Sequence, residues 1–494
     1  MKLAIICLAA GGLALSAPAQ SGTTNTRPLK LQEAVKLALE HNLDVQIERF
    51  NPQLALYTLN AYYGGYEPSL AVSGQHDYSK SGPQVLAGTL FPGSESDDNN
   101  LSSSLSGVAP WGTTYMLQGN AVDTRVSSVA GAFENTAAST SIQVKQPLLK
   151  NFLIDSTRLN IRVAKNRLKY SELNFKLRVM NTLAATEQAY YNLIYAREFV
   201  TVQEKAVELA MRLVAENRKR VEVGALAPLD EQQAEAQAAT SQADLISAQN
   251  SLAIQDHALK NLITDQYSKW AAQQLEPTDP LLAPLKIFNR LDSWSEGLTL
   301  RPDFLQAKLD VEKAGIQLKY AKNQLLPELD AFATLGYSGS GSQFSGALGD
   351  VAATDQPFYT YGGQITIPLG NTTARNNYKS GKAAEQQAVM ALKKQEQQVL
   401  VQIDDAIRQA QSNYERVAAT RKAREYAEAA LDAEQKKLDS GKSTTYTVLQ
   451  MQRDLTAARG NEFQALAAYN TALSQLSLQE GTILDRLGIN IEVK

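Results

Sequence analysis

Cysteine is almost missing from this sequence, because only Cys7 carries a thiol among the 494 residues. It lies within the first twenty residues, MKLAIICLAAGGLALSAPAQ, which combine Lys2, an apolar run and small residues at Ala17 and Ala19. This pattern predicts a secretory signal peptide, residues 1–19, since the apolar run is shorter than the roughly 18 residues that a membrane-spanning helix needs. A membrane anchor is the alternative. Cleavage after Ala19 would remove Cys7 and exclude a disulfide, a cysteine metal site and a cysteine nucleophile from the mature protein.

An excess of charge of either sign is also missing. The sequence has 48 Lys and Arg residues against 51 Asp and Glu residues, which gives a formal net charge of −3. Nucleic-acid-binding proteins usually carry a basic face or a basic tail. The near balance of charge therefore argues against a nucleic-acid partner.

Catalytic motifs are scarce as well. The three histidines lie far apart, and neither an HExxH nor a GxSxG motif occurs. The GKS at Gly441 to Ser443 resembles the end of a phosphate-binding loop, but Lys436 occupies the position of the required earlier glycine, and a helical pattern precedes it. We therefore predict no enzyme activity, no cofactor and no metal site.

The sequence contains long segments without glycine or proline. Residues 155–223 form one such segment, and about 69 helical residues at ~1.5 Å rise would extend roughly 100 Å. The segment ends at Gly224, and Pro228 then lies just inside a return helix that runs to about Ile263. Apolar residues recur with alternating spacings of four and three, with Glu187 in the skipped position, which predicts a coiled-coil seam of Leu173, Leu177, Met180, Ala184, Tyr191 and Ile194.

A second segment of this kind lies between Gly381 and Gly441. The sequence SGKSTTY follows it as a short tip, and another return helix comes next. Its predicted seam consists of Ile403, Ile407, Ala410, Tyr414 and Val417. The chain therefore contains two long helical hairpins.

Strand patterns precede each hairpin. Residues 67–148 and 327–369 are rich in Ser, Gly and Thr and alternate with single apolar residues. Such a weak signal in each strand is typical of strands that alternate between lipid and the lumen of a barrel. An ordinary soluble sheet is the alternative for these residues alone.

The order of elements repeats along the chain. Asp44 and Pro68 match Asp303 and Pro327 at a constant offset, and Gly224 matches Gly441 further on. The first half has additional residues around GVAPWGTT, enough for one more hairpin near 100–123. The predicted organisation is a signal peptide (1–19), N-terminal helices (20–66), strands and loops (67–148) and a long hairpin (149–263) of the first repeat, an irregular equatorial connector (264–302), a helix (303–326), strands (327–369) and a long hairpin (370–481) of the second repeat, and a C-terminal tail (482–494).

The strands of one chain are too few to close a barrel. We count at least four, and an open sheet edge in lipid leaves unpaired backbone groups that cost several kcal/mol each. Three copies would supply about twelve strands, which lies within the known range of closed barrels. The fold class that we expect is therefore mainly α, with long coiled-coil hairpins and a membrane β-barrel that several chains close together.

With its repeated order of helices, strands and hairpins, the sequence resembles the TolC-like outer-membrane efflux proteins. The resemblance covers nearly all of the mature chain, and the order of its motifs, duplicated, is more specific than any one of them. The residues that carry it are Leu29, Leu31, Glu33, Ala34, Leu37, Ala38, Leu39, Asn42 and Asp44, the prolines Pro68, Pro147, Pro327 and Pro368, and the tips VGALAPLD and SGKSTTYTVLQ.

The resemblance implies a homotrimer with a 12-strand β-barrel in the bacterial outer membrane and a 12-helix barrel that extends into the periplasm. Family members are passive exit ducts for inner-membrane RND or ABC pumps, in efflux or type I secretion. They bind a periplasmic adaptor at the helix tips and open there. The matching tip residues in this chain are Gly224, Ala225, Pro228, Gly441, Lys442 and Ser443.

The periplasmic gate that the resemblance implies differs in charge from that of the best-known members. Asp230 matches an acidic family position, but Thr447 and Gln450 stand where acidic residues ring the aperture in those members. Lys442 is a candidate partner for Asp230 in the closed state, as a surface pair of ~0–1 kcal/mol in each copy. The alternative is that both residues are solvated charges.

The main alternative function is that of a periplasmic coiled-coil adaptor or scaffold without a pore. Adaptors also have long helical hairpins, but one in each chain rather than two. They would not need strand-rich segments at matching places in both halves.

Overall fold

The computed structural model describes residues 25–86, 88–128 and 131–490. The predicted signal peptide, residues 1–19, lies outside the described residues. The chain divides into a first compact unit (Met1–Leu43, Thr182–Lys286, Gln409–Ser474) and a second one (Asp44–Asn181, Ile287–Arg408, Gln475–Lys494). Among the described residues, no helix combines the length and the apolar character that crossing a membrane requires.

The described elements follow each other in the order β1 (Asn25–Leu29), α1 (Leu31–His41), α2 (Leu43–Tyr63), β2 (Ser69–Ser81), β3 (Gln84–Leu86), β4 (Thr89–Phe91), β5 (Ser94–Val108), β6 (Thr114–Ser128), β7 (Gly131–Pro147), α3 (Ser156–Glu222), α4 (Pro228–Ile263), α5 (Tyr267–Trp270), β8 (Gln273–Pro277), α6 (Arg290–Leu300), α7 (Pro302–Asn323), β9 (Glu328–Gly341), α8 (Phe344–Ala353), β10 (Pro357–Thr366), α9 (Thr372–Asp439), α10 (Thr445–Glu480) and α11 (Ile483–Arg486).

The long helices confirm the two predicted hairpins, α3 with α4 and α9 with α10. Helix α9 begins at Thr372, within the predicted hairpin at 370–481, so it extends beyond the glycine-free segment and contains Gly381. A glycine in a helix costs only about 1 kcal/mol relative to alanine, so packing can override it. A Cβ at this position would lie 3.4 Å from Leu318 Cδ1 of α7, so the glycine permits close approach of the two helices.

The predicted seams are largely buried. Met180, Ala184 and Ile194 on α3 and Ile403, Ala410 and Val417 on α9 are all less than a tenth exposed. Glu187, in the skipped position of the first seam, is fully buried and accepts a hydrogen bond from the Ser474 hydroxyl of α10. Alternating spacing therefore predicted the buried positions, including a polar one.

A pair of parallel strands, β1 and β8, lies in the core of the first unit. The hydroxyl of the fully buried Tyr190 lies 2.9 Å from the carbonyl oxygen of Leu29 and 2.7 Å from Asp279 Oδ2. The sequence pattern predicts helices at 20–66 and an irregular connector at 264–302, and both predictions missed these strands. Each strand is five residues long and pairs with a segment far away in the chain. Five residues are too few to show a recognisable alternation of apolar and polar residues.

A six-stranded antiparallel sheet occupies the second unit, in the order β10-β9-β7-β6-β5-β2. The additional hairpin around GVAPWGTT is β5 and β6, and it lies inside this sheet with partners on both sides. The count of at least four strands in each chain is therefore met and exceeded, since the sheet has six, whereas a 12-strand barrel made of three chains takes four from each.

The register of this sheet aligns exposed apolar side chains, one from each strand. We call them the apolar row, and they are Leu70, Leu105, Leu117, Ile142, Leu335 and Tyr359. The opposite face carries a polar row of Ser73, Ser102, Asn120, Ser139 and Ser338. Because neighbouring residues of a strand point to opposite faces, the apolar row and the polar row lie on opposite sides of the sheet.

Helix α8 covers part of the sheet at a neighbouring position on the apolar side. Its Ala347 packs against Ala121 of β6 and Ala138 of β7. Gly339 lies beneath it, where an added Cβ would come within 2.3 Å of the Ala347 carbonyl oxygen. Small residues on the sheet therefore allow this helix to pack closely against it.

Candidate functional site at the tips of the helical hairpins

The first tip is a glycine-terminated helix end. Gly224 has φ +73°, and the amide of Ala225 donates to the carbonyl oxygen of Arg220 at 2.7 Å, as in a Schellman motif. Pro228 occupies the first turn of α4, where its missing amide hydrogen has no cost. The local sequence therefore fixes a tight reversal between α3 and α4.

The second tip repeats this geometry. Gly441 has φ +70°, and the Lys442 amide donates to the Lys437 carbonyl oxygen at 2.8 Å. Thr444 caps the start of α10, because its hydroxyl oxygen accepts from the Thr447 amide at 3.3 Å. Both tips therefore end in the same backbone motif despite different sequences.

Two polar contacts join the tips of the two hairpins within the first unit. Arg220 Nη2 of α3 lies 2.9 Å from Asp439 Oδ1 of α9. The buried Asn217 amide nitrogen lies 3.2 Å from the carbonyl oxygen of Asp230 and 3.5 Å from the Thr445 hydroxyl of α10. An apolar cluster lies beside them, consisting of Leu213 of α3 with Leu431, Leu438, Val448, Leu449 and Leu455.

A carboxylate closes the loop of the second tip onto its own helix. The Ser443 hydroxyl donates to Glu434 Oε1, and Lys437 Nζ lies 2.9 Å from Oε2. The hydrogen bond from Ser443 and the nearby Lys437 ammonium lower the pKa of Glu434 below its ordinary 4.5. Glu434 is therefore charged at neutral pH and holds the tip loop in place.

Apolar side chains are exposed at both tips. Val223 is 78% exposed and Leu229 61% exposed beside the first tip, and Tyr446 is 59% exposed beside the second. Large apolar side chains on the surface mark interaction sites when they lie together with a polar surround. The tips therefore offer anchors that a partner can cover.

The predicted gate residues lie in the first turns of the return helices. Asp230 is partly exposed on α4, Thr447 is partly exposed and Gln450 is exposed on α10. Among the ion pairs of the described residues, Lys442 and Asp230 are not joined; the ion pair that links the two hairpins here is Arg220 with Asp439.

Sequence reasoning missed Asn217, Arg220 and Asp439. Each lies in the last turns of a long helix, just before a tip glycine, where charged and amide residues are common on solvated surfaces. The spacing from Gly224 and Gly441 was a usable signal, but which residues face the other hairpin depends on the packing of α3 against α9.

Comparisons with known proteins agree with this architecture. The family model for outer membrane efflux proteins matches residues 112–264 and 294–482, together more than half of the chain. The outer membrane efflux protein BepC of Brucella suis biovar 1 (strain 1330) is 26% identical over 373 residues, covering 72% of this chain and 75% of BepC. TolC of Escherichia coli (strain K12) is 27% identical over 228 residues, 44% of each protein.

Solved structures share the fold. The CmeC outer membrane channel of Campylobacter jejuni superposes with a TM-score of 0.65 at 16% identity, covering 92% of this chain and 86% of CmeC. The outer membrane protein VceC of Vibrio cholerae gives a TM-score of 0.67 at 18% identity, covering 91% of this chain and 96% of VceC.

The two hairpins, the two-sided sheet and these matches define a channel-type protein of the bacterial outer membrane that extends into the periplasm. The chain belongs to the outer membrane efflux protein family. This membership favours a channel over the alternative of a periplasmic adaptor.

Proposed function

We propose that the protein is a homotrimeric, passive exit duct for efflux or type I secretion. In this proposal cargo passes through the periplasm and the outer membrane inside one assembly. The energy comes from an inner-membrane RND or ABC pump, and a periplasmic adaptor connects the pump to the duct.

The single observation that carries the proposal is the open sheet with the apolar row on one side and the polar row on the other. Strands β2 and β10 are its edges, and in the described chain neither has a partner on its outer side. An apolar side suits contact with lipid, and unpaired edges in lipid are costly, so the edges favour pairing between copies. The polar side then lines a water-filled lumen.

We place the periplasmic gate at Asp230, Thr447 and Gln450. The support is their position in the first turns after two adjoining tips, where a small movement of each hairpin changes the aperture. The tips are joined by an exposed ion pair and one buried amide, and surface ion pairs contribute only ~0–1 kcal/mol. An ion pair of this size is a contact that a partner can release.

We place adaptor binding at Gly224, Ala225, Pro228, Gly441, Lys442 and Ser443. The exposed Val223, Leu229 and Tyr446 beside them are the apolar anchors of this surface. Hot spots of protein interfaces are commonly aromatic or apolar anchors surrounded by polar contacts.

Channel formation is tested in planar bilayers with the purified protein and a Gln450→Cys variant. The mature chain is expected to have no other thiol, so oxidation joins only the introduced cysteines. We expect a detergent-stable trimer whose conductance falls on cross-linking between copies and recovers on reduction. The matched control is Lys422→Cys, an exposed position on α9 before the tip, which should leave conductance unchanged.

A water-soluble monomer without conductance would show that the protein is not a duct. Unchanged conductance after complete cross-linking at Gln450 would instead show that the gate lies elsewhere.

A further inference from the structure

The β5–β6 hairpin is a central part of the sheet. Along its length β5 pairs with β2, from Ser69 opposite Ser106 to Ser81 opposite Ser94. β6 pairs in the same way with β7, from Thr114 opposite Lys145 to Ser128 opposite Gly131. The two strands therefore separate β2 from β7 and do not form a flap outside the sheet.

The side chains of this hairpin follow the two-sided pattern of the other strands. Leu105 and Leu117 complete the apolar row between Leu70 and Ile142, and both are exposed. Ser104 and Gln118, which are opposite each other in the register, point to the polar side. The hairpin therefore matches its neighbours in chemistry as well as in backbone pairing.

The edges of the sheet are compatible with closure by further copies. Neighbouring strands are antiparallel throughout, and the number of strands is even, so β2 and β10 run in opposite directions. β10 of one copy can therefore pair antiparallel with β2 of the next copy. Tyr359 at one edge and Leu70 at the other are the two ends of the apolar row within the chain.

We propose that the β5–β6 hairpin widens the membrane part of the channel, because each copy contributes six strands and three copies close a sheet of eighteen. This inference rests on the trimeric duct proposed above. The diameter of a closed sheet grows roughly linearly with strand number, so eighteen strands give about 1.5 times the width of twelve. The chain thereby admits cargo of larger cross-section at its outer end.

The first test asks whether the hairpin contacts lipid. Single cysteines replace Leu105 or Leu117, and the matched controls replace Ser104 or Gln118, their neighbours on the other side. Each is labelled with a polarity-sensitive fluorophore and reconstituted in phospholipid vesicles that carry a lipid-bound quencher. We expect quenching several-fold stronger at the two leucine positions than at the two controls. Equal quenching of all four labels by the lipid-bound quencher would overturn the inference.

The second test compares pore widths. One variant lacks residues 94–128, so that β2 can pair directly with β7, and the control lacks only residues 84–91, which leaves six strands. Polymers of graded size are added on the outer side of channels in planar bilayers. In the first variant, we expect the diameter of the largest polymer that enters the channel to be about two thirds of the value for the unmodified protein. In the control, we expect this diameter to stay unchanged.

An unchanged size limit in a conducting variant without residues 94–128 would overturn the widening and leave the duct intact. Absence of conductance from the unmodified protein would instead overturn the proposed function. If the shortened variant fails to assemble, the fluorescence test still decides whether the hairpin belongs to the membrane sheet.

Discussion

Arg220 and Asp439 join the two hairpins of the chain through one ion pair, with 2.9 Å between Nη2 and Oδ1. The two residues lie in the last turns of α3 and α9, next to tips that are far apart in sequence. Their side chains are 33% and 68% exposed, so the pair is a surface contact of ~0–1 kcal/mol. A contact of this strength holds the tips together without locking them.

Replacing Arg220 with Gln should favour the open gate. The change removes the charge that links α3 to α9, so we expect a higher open probability in planar bilayers and little loss of folding stability. Raising the salt concentration toward 1 M should shrink the difference from the unmodified protein, because the pair is screened.

The matched control for this prediction is Arg218→Gln. Arg218 lies beside Glu231 and Glu235, both on α4 of its own hairpin. The Arg218→Gln substitution also removes one positive charge from α3, but it affects no contact with the second hairpin. Equal increases in open probability in both variants would contradict a role for the link between Arg220 and Asp439.

Asn217→Asp should loosen the tips. The substitution places a carboxylate where the buried amide donates to the Asp230 carbonyl oxygen and approaches the Thr445 hydroxyl. Losing a buried donor costs about 1–3 kcal/mol, so hydrogen exchange at the start of α4 and α10 should become faster.

The comparison for this exchange measurement is Asn413→Asp. Asn413 is also buried and donates to the Ala468 carbonyl oxygen at 3.4 Å, but it lies far along the chain from the tips. Its exchange should rise near residues 413 and 468 only. Faster exchange at the tips in this variant would mean that the effect of Asn217 is not local.

Acid should release an ion pair beside Trp294. Arg290 donates to both oxygens of Asp404 and stacks on the Trp294 ring, 4.5 Å from its centroid, and these contacts with Arg290 lower the pKa of Asp404 below its ordinary 3.8. A lowered carboxyl pKa gives stability that is present above the unfolded-state value and is lost as pH falls through the folded-state value.

Fluorescence of Trp294 reports this titration, with Trp111 and Trp270 replaced by Phe. We expect a change in emission only below about pH 3.8, and no such change in Asp404→Asn. Asp405→Asn, one residue further along α9, should keep the titration. A transition that persists in Asp404→Asn would assign it to another group.

Alanine at either tip glycine should weaken its hairpin. Gly224 and Gly441 have φ of +73° and +70°, and no atom lies within 4 Å of a Cβ added at either position. The cost is therefore that of the left-handed backbone alone, about 1–2 kcal/mol, and proteolysis at the tip should become faster.

Gly315→Ala in α7 is the opposite case: its added Cβ meets only Glu385 at 3.7 Å, so we expect about 0.5–1 kcal/mol of stabilisation. Slower cleavage at the tips of Gly224→Ala or Gly441→Ala would contradict this account.

The turns at the two tips were predictable from the sequence, but their contacts were not. Gly224, Pro228 and Gly441 are local signals, because a left-handed turn and a helix start each depend on a few neighbouring residues. Arg220 and Asp439 come together only through packing between the hairpins. Lys442 and Asp230 were therefore only a candidate pair, and the described structure joins a different pair of charges.

The sequence by itself determined the two long helical hairpins, their tips and their buried seams, because glycine, proline and the spacing of apolar residues act within a few turns of helix. Only the tertiary structure decided that the sheet has six strands, that β1 pairs with β8 and that α8 packs on the sheet. Each strand can pair with several segments that are distant in the chain, and the alternation of apolar and polar residues in a short strand does not specify which of them it pairs with. The register, once formed, aligns Leu70 with Tyr359 across the whole sheet, and no local pattern in either strand shows it.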